Sequence, residues 1–214
     1  MPRKRLVILI SGSGSNLQAL IDATRSGELD AEIAGVISNK PGVFGLERAK
    51  NAGIPTQVLS HHEFASREEY DGSLLAAVQQ YAPDLVLLAG FMRILTPTFV
   101  APLYGKLMNI HPSLLPKYPG LHTHERALAA GDNEAGVSVH FVSAELDAGP
   151  IVIQARVPVL PGDNASTLGS RVLEQEHIIY PLAARWFCEN RLRCDARNAW
   201  LDEKLLPISG RNYQ

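Results

Sequence analysis

The segment Asn109–Thr123, NIHPSLLPKYPGLHT, holds the residue types best suited to chemistry. Its three prolines and Gly120 exclude a continuous helix or a central strand, so we predict an ordered loop. The apolar run at 107–110 predicts a short buried strand that delivers the amide of Asn109 and the imidazole of His111 to the carboxyl end of a sheet. Open α/β sheets bind their ligands there. An incidental surface histidine is the alternative, but it leaves the stiffness of the loop unexplained.

A second candidate site is the loop SGSGSN, residues 11–16, between the apolar run 6–10 and a helix. Its glycines allow a tight turn, and the N–H groups at the start of the helix attract an anion. The loop lacks the third glycine of a dinucleotide fingerprint and the Gly-Lys-Ser/Thr of a Walker A loop. The pattern therefore indicates a phosphate monoester, and a plain N-capped turn fits it equally well.

Three other positions could serve a ligand, and each also has a structural explanation. Residues 90–95, GFMRIL, could line a slot for a planar heterocycle, although core packing explains the same apolar side chains. Asp147 lies at a predicted hairpin corner, where Asp is a common turn residue. If that corner folds over His111, the carboxylate favours the protonated imidazole. Glu176 falls within an apolar helical stripe and needs a partner, either in the protein or on a ligand.

Composition limits the class of protein. A chain of 214 residues with 46% hydrophobic and 20% charged residues suits one globular domain. A net charge of −2 indicates neither nucleic acid nor a membrane surface as partner. The apolar run at 6–10 is too short for a signal peptide, and no stretch is long enough to span a membrane.

The cysteines and the remaining histidines indicate no further chemistry. Cys188 and Cys194 lie away from every motif, which fits reduced thiols in a cytoplasmic protein. No His-Glu-x-x-His or Cys-x-x-Cys frame exists, so no bound metal is expected. The histidines considered for such a site are His61, His62, His122 and His124, together with His111.

Strands and helices alternate along the first half of the chain. The pattern predicts strands at 6–10, 31–38, 56–59, 84–89 and 107–110, and helices after residue 16, at 44–52 and at 66–81. Ser66 followed by Glu69 is a capping-box signature. Apolar strands that alternate with helices predict a doubly wound, mostly parallel sheet in an α/β fold.

The pattern changes after residue 123. A short helix at 125–130 precedes strands at 136–143 and 151–159, which predict an antiparallel hairpin and therefore a mixed sheet. A long helix is predicted to start at Ser166 or Thr167 and to run to about Glu189. The tail from Arg191 is predicted to be a last strand pair or irregular, and the whole chain 1–214 a single domain.

Seven segments in order closely resemble the phosphoribosylglycinamide formyltransferases, the folate-dependent glycinamide ribonucleotide transformylases of purine synthesis. The resemblance covers about 6–200, and its segments are SGSGSN, SREEYD, LAGFMRIL, NIHPSLLPKYPGLHTH, SVHFV, ELDAGPIV and QEHIIYP. It implies a Rossmann-like formyltransferase fold with a ribotide half at about 1–105 and a folate and catalytic half at about 106–214. Related methionyl-tRNA formyltransferases and formyltetrahydrofolate hydrolases would each be expected to carry an extra domain.

The resemblance also assigns roles to residues. It implies that Gly14, Ser15 and Asn16 bind the ribotide phosphate and that Glu176 binds the ribose hydroxyls. Binding of 10-formyltetrahydrofolate falls to Arg67, Met92, Arg93, Ile94, Leu95 and Asn109. The implied catalytic residues are Asn109, His111 and Asp147. A cis Leu115–Pro116 bond is implied as well, and no metal.

The implied activity is transfer of the formyl group of 10-formyltetrahydrofolate to the amine of phosphoribosylglycinamide. A 10-formyltetrahydrofolate hydrolase is the alternative enzyme, and a non-catalytic phosphate- or nucleotide-binding module the alternative from another class. The expected partners are small molecules, without nucleic acid or membrane. A cytoplasmic monomer or weak homodimer is expected.

Overall fold

The first unit of the chain, Met1–Asn109, is built on strands that are apolar on both faces. In the computed structural model, which describes residues 2–195 and 197–213, its strands lie in the order β5-β4-β1-β2-β3, with every pair parallel. The strands are β1 (Lys4–Ile10), β2 (Ala31–Ser38), β3 (Thr56–Val58), β4 (Leu85–Leu88) and β5 (Leu107–His111). Parallel strands are covered on both faces, which explains why every residue of β4 is buried.

Three helices of this unit lie close to the predicted positions: α1 (Ser15–Ser26), α2 (Phe44–Asn51) and α3 (Arg67–Gln79). The short helix α4 (Pro97–Val100) and the 3-10 turns at His61–Glu63 and Ala101–Leu103 are not among the predicted elements. The hydroxyl of Ser66 accepts the N–H of Glu69 at 3.1 Å, as the capping signature predicts. The carboxylate of Glu69 accepts the N–H of Ala65 at 3.1 Å, one residue before the N-cap, so the reciprocal bond of a capping box is displaced by one residue.

The second unit, Ile110–Gln214, contains the predicted hairpin and long helix. Strands β6 (Glu134–Phe141) and β7 (Ile151–Pro158) pair antiparallel, after helix α5 (Thr123–Ala129). Helix α6 (Ala165–Cys188) follows. Its predicted start at Ser166 or Thr167 is wrong by one to two residues, because Asn164 is the N-cap and accepts both their N–H groups.

The tail is more ordered than predicted. A separate antiparallel sheet of order β10-β9-β8 contains β8 (Leu192–Asp195), β9 (Asn198–Leu201) and β10 (Lys204–Leu205). Strand β11 (Arg211–Tyr213) pairs parallel with β7 instead of remaining irregular. The main sheet has eight strands and is mixed and mostly parallel, which confirms the predicted α/β fold class.

Two properties of the described residues bear on the protein class. Cys188 and Cys194 are thiols and do not form a disulfide. No helix within 2–195 and 197–213 combines the length and the apolar character needed to cross a membrane.

Candidate active site

The loop of residues 11–16 joins β1 to α1 and brings together the three predicted phosphate-binding residues. Gly14 has a φ of 72°, a left-handed value that favours glycine. A Cβ at this position would lie 2.6 Å from the Cα of Gly45, so close backbone packing also requires glycine. Helix α1 begins at Ser15 and continues with Asn16, and the N–H groups of a first helical turn favour an anion.

Ser11, which the sequence does not single out, connects this loop to two other segments. Its hydroxyl donates to the Oδ1 of Asn39 at 2.6 Å and accepts the N–H of Met92 at 2.8 Å. Ser11 and Asn39 are both buried, so these bonds are shielded from water. The phosphate-loop candidate and the GFMRIL segment are therefore joined through one side chain.

The GFMRIL segment, residues 90–95, divides its apolar side chains between the core and the surface. Phe91 and Leu95 are buried, whereas Met92 and Ile94 are 63% and 57% exposed. Core packing, the structural explanation offered for this segment, accounts for the first pair only. The second pair presents apolar surface that a planar ring could cover.

Two arginines flank the exposed side chains of this segment. The Nη2 of Arg67, at the start of α3, donates to the carbonyl of Ile94 at 2.6 Å. The guanidinium of Arg93 stacks over the ring of Tyr70 at 4.7 Å. The structure thus brings Arg67 and residues 92–95 together, as their assignment to one ligand requires.

His111 is the last residue of β5, and the proline-rich loop that follows fixes its ring. The side chain is buried, and its Nε2 lies 2.9 Å from the carbonyl oxygen of Tyr118, to which it donates. The Leu115–Pro116 bond is cis, as predicted. The hydroxyl of Ser138 on β6 donates to the carbonyl of Ser113 at 2.6 Å and accepts the N–H of Leu115 at 3.0 Å, which anchors the loop to the sheet.

Asp147 approaches His111 from the connection between β6 and β7, so the predicted fold of the hairpin corner over the imidazole is confirmed. Its Oδ2 lies 3.5 Å from the Nδ1 of His111 and accepts the N–H of Gly120 at 2.8 Å. The side chain is 8% exposed, and its φ of 51° is left-handed. A buried carboxylate beside an imidazole is an arrangement that can hold and transfer a proton.

His140, on β6, is a second imidazole at this carboxylate, and the sequence analysis does not identify it. Its Nε2 lies 3.8 Å from the Oδ1 of Asp147, and its Nδ1 donates to the carbonyl of Phe141 at 2.9 Å. Burial lowers the pKa of His140, which keeps this ring neutral at neutral pH. The two ring nitrogens of His111 face the carbonyl oxygen of Tyr118 and the Oδ2 of Asp147.

Asn109 and Glu176 lie where the sequence analysis predicts. Asn109 is two residues before His111 on β5, and strand alternation places both side chains on the same face of that strand. Glu176 is buried on α6 within the stripe that contains Leu168, Val172 and Ile179. The functional roles of both residues stay predictions.

His61, His62 and His122, which the sequence analysis considers for a metal site, have contacts of their own. The rings of His61 and His62 stack on each other with centroids 4.0 Å apart. His122 is exposed and lies 3.7 Å from the carboxylate of Glu125. Among residues 2–195 and 197–213, no three His, Cys, Asp or Glu side chains are grouped to hold a metal ion.

Comparisons with known proteins identify the family of this chain. The family model described as formyl transferase matches residues 4–184. The phosphoribosylglycinamide formyltransferase of Escherichia coli is 55% identical over 205 residues, which cover 96% of this chain and 97% of that protein. The enzyme of the same name from Haemophilus influenzae is 52% identical over 97% of this chain and 98% of its own length. The solved structure of the Coxiella burnetii phosphoribosylglycinamide formyltransferase superposes with a TM-score of 0.96, at 49% identity and full coverage of both chains. The chain therefore belongs to the formyl transferase family.

Proposed function

We propose that this protein transfers the formyl group of 10-formyltetrahydrofolate to the amine of phosphoribosylglycinamide, a step of purine synthesis. One observation carries the proposal: the buried His111–Asp147 pair, 3.5 Å apart, occurs in a chain 55% identical to an enzyme of that name. The pair supplies a proton donor and a carboxylate at the end of a strand, which suits acyl transfer to an amine.

The ribotide is assigned to the loop of residues 11–16 and to Glu176. The N–H groups of the first turn of α1, which begins at Ser15, bind the 5′-phosphate. That turn contains no acidic side chain, so nothing on it repels the anion. The carboxylate of Glu176 accepts hydrogen bonds from the ribose hydroxyls, because vicinal hydroxyls are good donors to a buried carboxylate.

The folate is assigned to Arg67 and to residues 92–95. The exposed side chains of Met92 and Ile94 cover the faces of the planar heterocycle, and the backbone of this segment supplies polar contacts to its edge. Arg67 contributes positive charge beside the carbonyl of Ile94, which suits the carboxylate end of a folate.

The reaction needs no nucleophilic side chain. The amine of the ribotide attacks the formyl carbon and a C–N bond forms, which gives a tetrahedral intermediate with negative charge on oxygen. The amide of Asn109 donates a hydrogen bond to that oxygen, and so does the Nδ1–H of protonated His111, whose 3.5 Å contact with Asp147 is longer than the 2.9 Å bond of the Nε2–H to Tyr118. As the bond to N10 of the folate breaks, His111 or a water held by Asp147 carries the proton of the attacking amine to N10.

Assays with 10-formyltetrahydrofolate, in the presence and in the absence of phosphoribosylglycinamide, distinguish this function from its alternatives. We expect formyl transfer only when 10-formyltetrahydrofolate and phosphoribosylglycinamide are both present, measured as release of tetrahydrofolate and formation of formylated ribotide. A hydrolase would release formate without the ribotide. A binding module would turn over neither compound, and either result contradicts the proposal.

A negative charge at the start of α1 is expected to weaken ribotide binding selectively. Ser15→Asp should raise the KM for the ribotide at least tenfold, because the carboxylate repels the phosphate, and leave the KM for the folate within about twofold. The thermal midpoint should not fall, since acidic residues stabilise helix N-termini. Ser166→Asp, in the exposed first turn of α6, is the matched control and should leave both KM values unchanged. Equal increases in both KM values for Ser15→Asp would contradict the assignment.

We further propose a cytoplasmic enzyme that is a monomer or a weak homodimer. The two cysteines are thiols, which fits a reducing compartment. Sedimentation over a hundredfold range of protein concentration measures the association state directly.

A further inference from the structure

The turn of residues 117–120 supplies a backbone partner to each member of the His111–Asp147 pair. The carbonyl of Tyr118 accepts the Nε2–H of His111 at 2.9 Å. Two residues later, the N–H of Gly120 donates to the Oδ2 of Asp147 at 2.8 Å. The conformation of this one turn therefore sets the orientation of both side chains.

The turn has a conformation that needs external support. Tyr118 has a φ of 55°, in the left-handed region that side chains other than glycine rarely adopt. Such residues persist only where surrounding contacts hold them in place. The contacts of the turn should therefore identify what keeps the carbonyl of Tyr118 directed at His111.

Asp132 makes the most extensive of these contacts. Its Oδ2 accepts the hydroxyl hydrogen of Tyr118 at 2.8 Å, and its two oxygens accept from the ammonium of Lys117 at 2.9 and 3.0 Å. The Lys117 ammonium and the Tyr118 hydroxyl hold the pKa of Asp132 below its usual range, so the carboxylate is charged at neutral pH. Its side chain is 17% exposed, which limits screening of these bonds by water.

The backbone around Asp132 fixes the position of this carboxylate. Its N–H donates to the carbonyl of Ala127 in the last turn of α5 at 3.2 Å, and β6 begins two residues later. Arg126 of the same helix supports the turn from a second side, since its Nη1 donates to the carbonyl of Pro119 at 2.6 Å. Arg126 is exposed, and its guanidinium also contacts the carbonyl of Leu121 and the ring of Tyr118.

We propose that Asp132 is a positioning residue for formyl transfer, which holds the 117–120 turn so that Tyr118 orients His111 and Gly120 orients Asp147. The inference rests on the proposed function, because orientation of these two side chains matters only if they take part in the reaction. Asp132 contacts neither of them and acts through the turn. A misplacement of about 1 Å in a catalytic group is enough to lower a rate by about a hundredfold.

The test compares four variants in the two-substrate assay. Asp132→Ala and Tyr118→Phe should each lower kcat by at least tenfold while both KM values stay within about threefold. The kcat of the double variant should lie within about twofold of that of Asp132→Ala, because both changes remove the hydrogen bond between the Tyr118 hydroxyl and Asp132. Glu134→Gln removes a neighbouring carboxylate that pairs with the exposed Arg156 at 2.9 Å, and it should match the wild type.

A second measurement separates positioning from loss of stability and from failure of the proposed function. The ¹H–¹⁵N spectrum of the histidine rings should show one slowly exchanging Nε2–H, assigned to His111 by its loss in His111→Asn, and Asp132→Ala should weaken or remove it. Tyr118→Phe keeps the aromatic ring and replaces Asp132→Ala in this measurement if Asp132→Ala does not fold.

A wild-type kcat in Asp132→Ala, or a full Nε2–H signal in that variant, overturns the inference. If the wild type transfers no formyl group, the proposed function fails, and the spectrum still decides whether Asp132 orients His111.

Discussion

Replacement of His111 by asparagine is expected to lower kcat by about a thousandfold, with little change in either KM. Removal of one donor to a developing oxyanion typically costs about a hundredfold to a thousandfold, and loss of a general acid costs about as much. The two roles share one ring, so the losses do not simply multiply. Asparagine retains a donor of similar reach but cannot carry the positive charge of a protonated ring.

Steady-state kinetics at saturating concentrations of both substrates measure this effect. The matched control is His122→Asn, because His122 is exposed, has a φ of 59°, and asparagine is well tolerated in that left-handed conformation. A kcat for His111→Asn within tenfold of the wild type would remove His111 from the chemistry. A large rise in both KM values would instead indicate that His111 supports the shape of the site.

The change Asp147→Asn is expected to lower kcat by about a hundredfold and to leave both KM values within about threefold. The amide oxygen of asparagine can still accept the N–H of Gly120, so the local backbone should persist. The negative charge 3.5 Å from the Nδ1 of His111 is lost, and with it the attraction that stabilises positive charge on this ring during proton transfer. The same steady-state assay measures the loss.

Asp202→Asn is the control for this variant. Asp202 has a φ of 52°, nearly that of Asp147, and is an exposed partner of Arg191 at 2.7 Å, so the same substitution tests the backbone alone. A rate near that of the wild type would leave Asp147 as a turn residue only.

The main helices and strands can be predicted from the sequence, because the spacing of apolar residues and the identity of capping residues are both local properties of the chain. Strand β2 begins and ends at the predicted residues, and Ser66 caps α3 as predicted. The start of α6 is harder to predict, since Asn164, Ser166 and Thr167 are all good N-cap residues and only the completed capping box selects the first. Strand β11 has three exposed residues, and its pairing with β7 depends on tertiary contact alone.

The sequence likewise identifies some residues of the candidate site and misses others. Asn109, His111 and Asp147 stand out because their residue types are chemically competent and lie at strand ends and corners. The partners that orient them are not visible in the sequence: the acceptor for His111 is the backbone carbonyl of Tyr118, and every residue has a carbonyl. His140 is similarly hidden, because a histidine in the buried strand β6 is usually a packing residue, and only the fold brings it to Asp147.

The contact between Gly14 and Gly45 has a consequence for the genetics of this protein. A Cβ on Gly14 would meet the Cα of Gly45 at 2.6 Å, and a Cβ on Gly45 would meet the Cα of Gly14 at 3.2 Å, so a side chain at either position displaces the backbone at the other. In a random library selected for loss of the function proposed for residues 11–16, we therefore also expect changes at position 45, which is 31 positions from Gly14 and outside that loop. Substitutions at Gly14 and at Gly45 should therefore disturb the same loop, although the two residues are distant in sequence. A mutational map that assigns function by proximity in sequence would attribute Gly45 to the wrong part of the molecule.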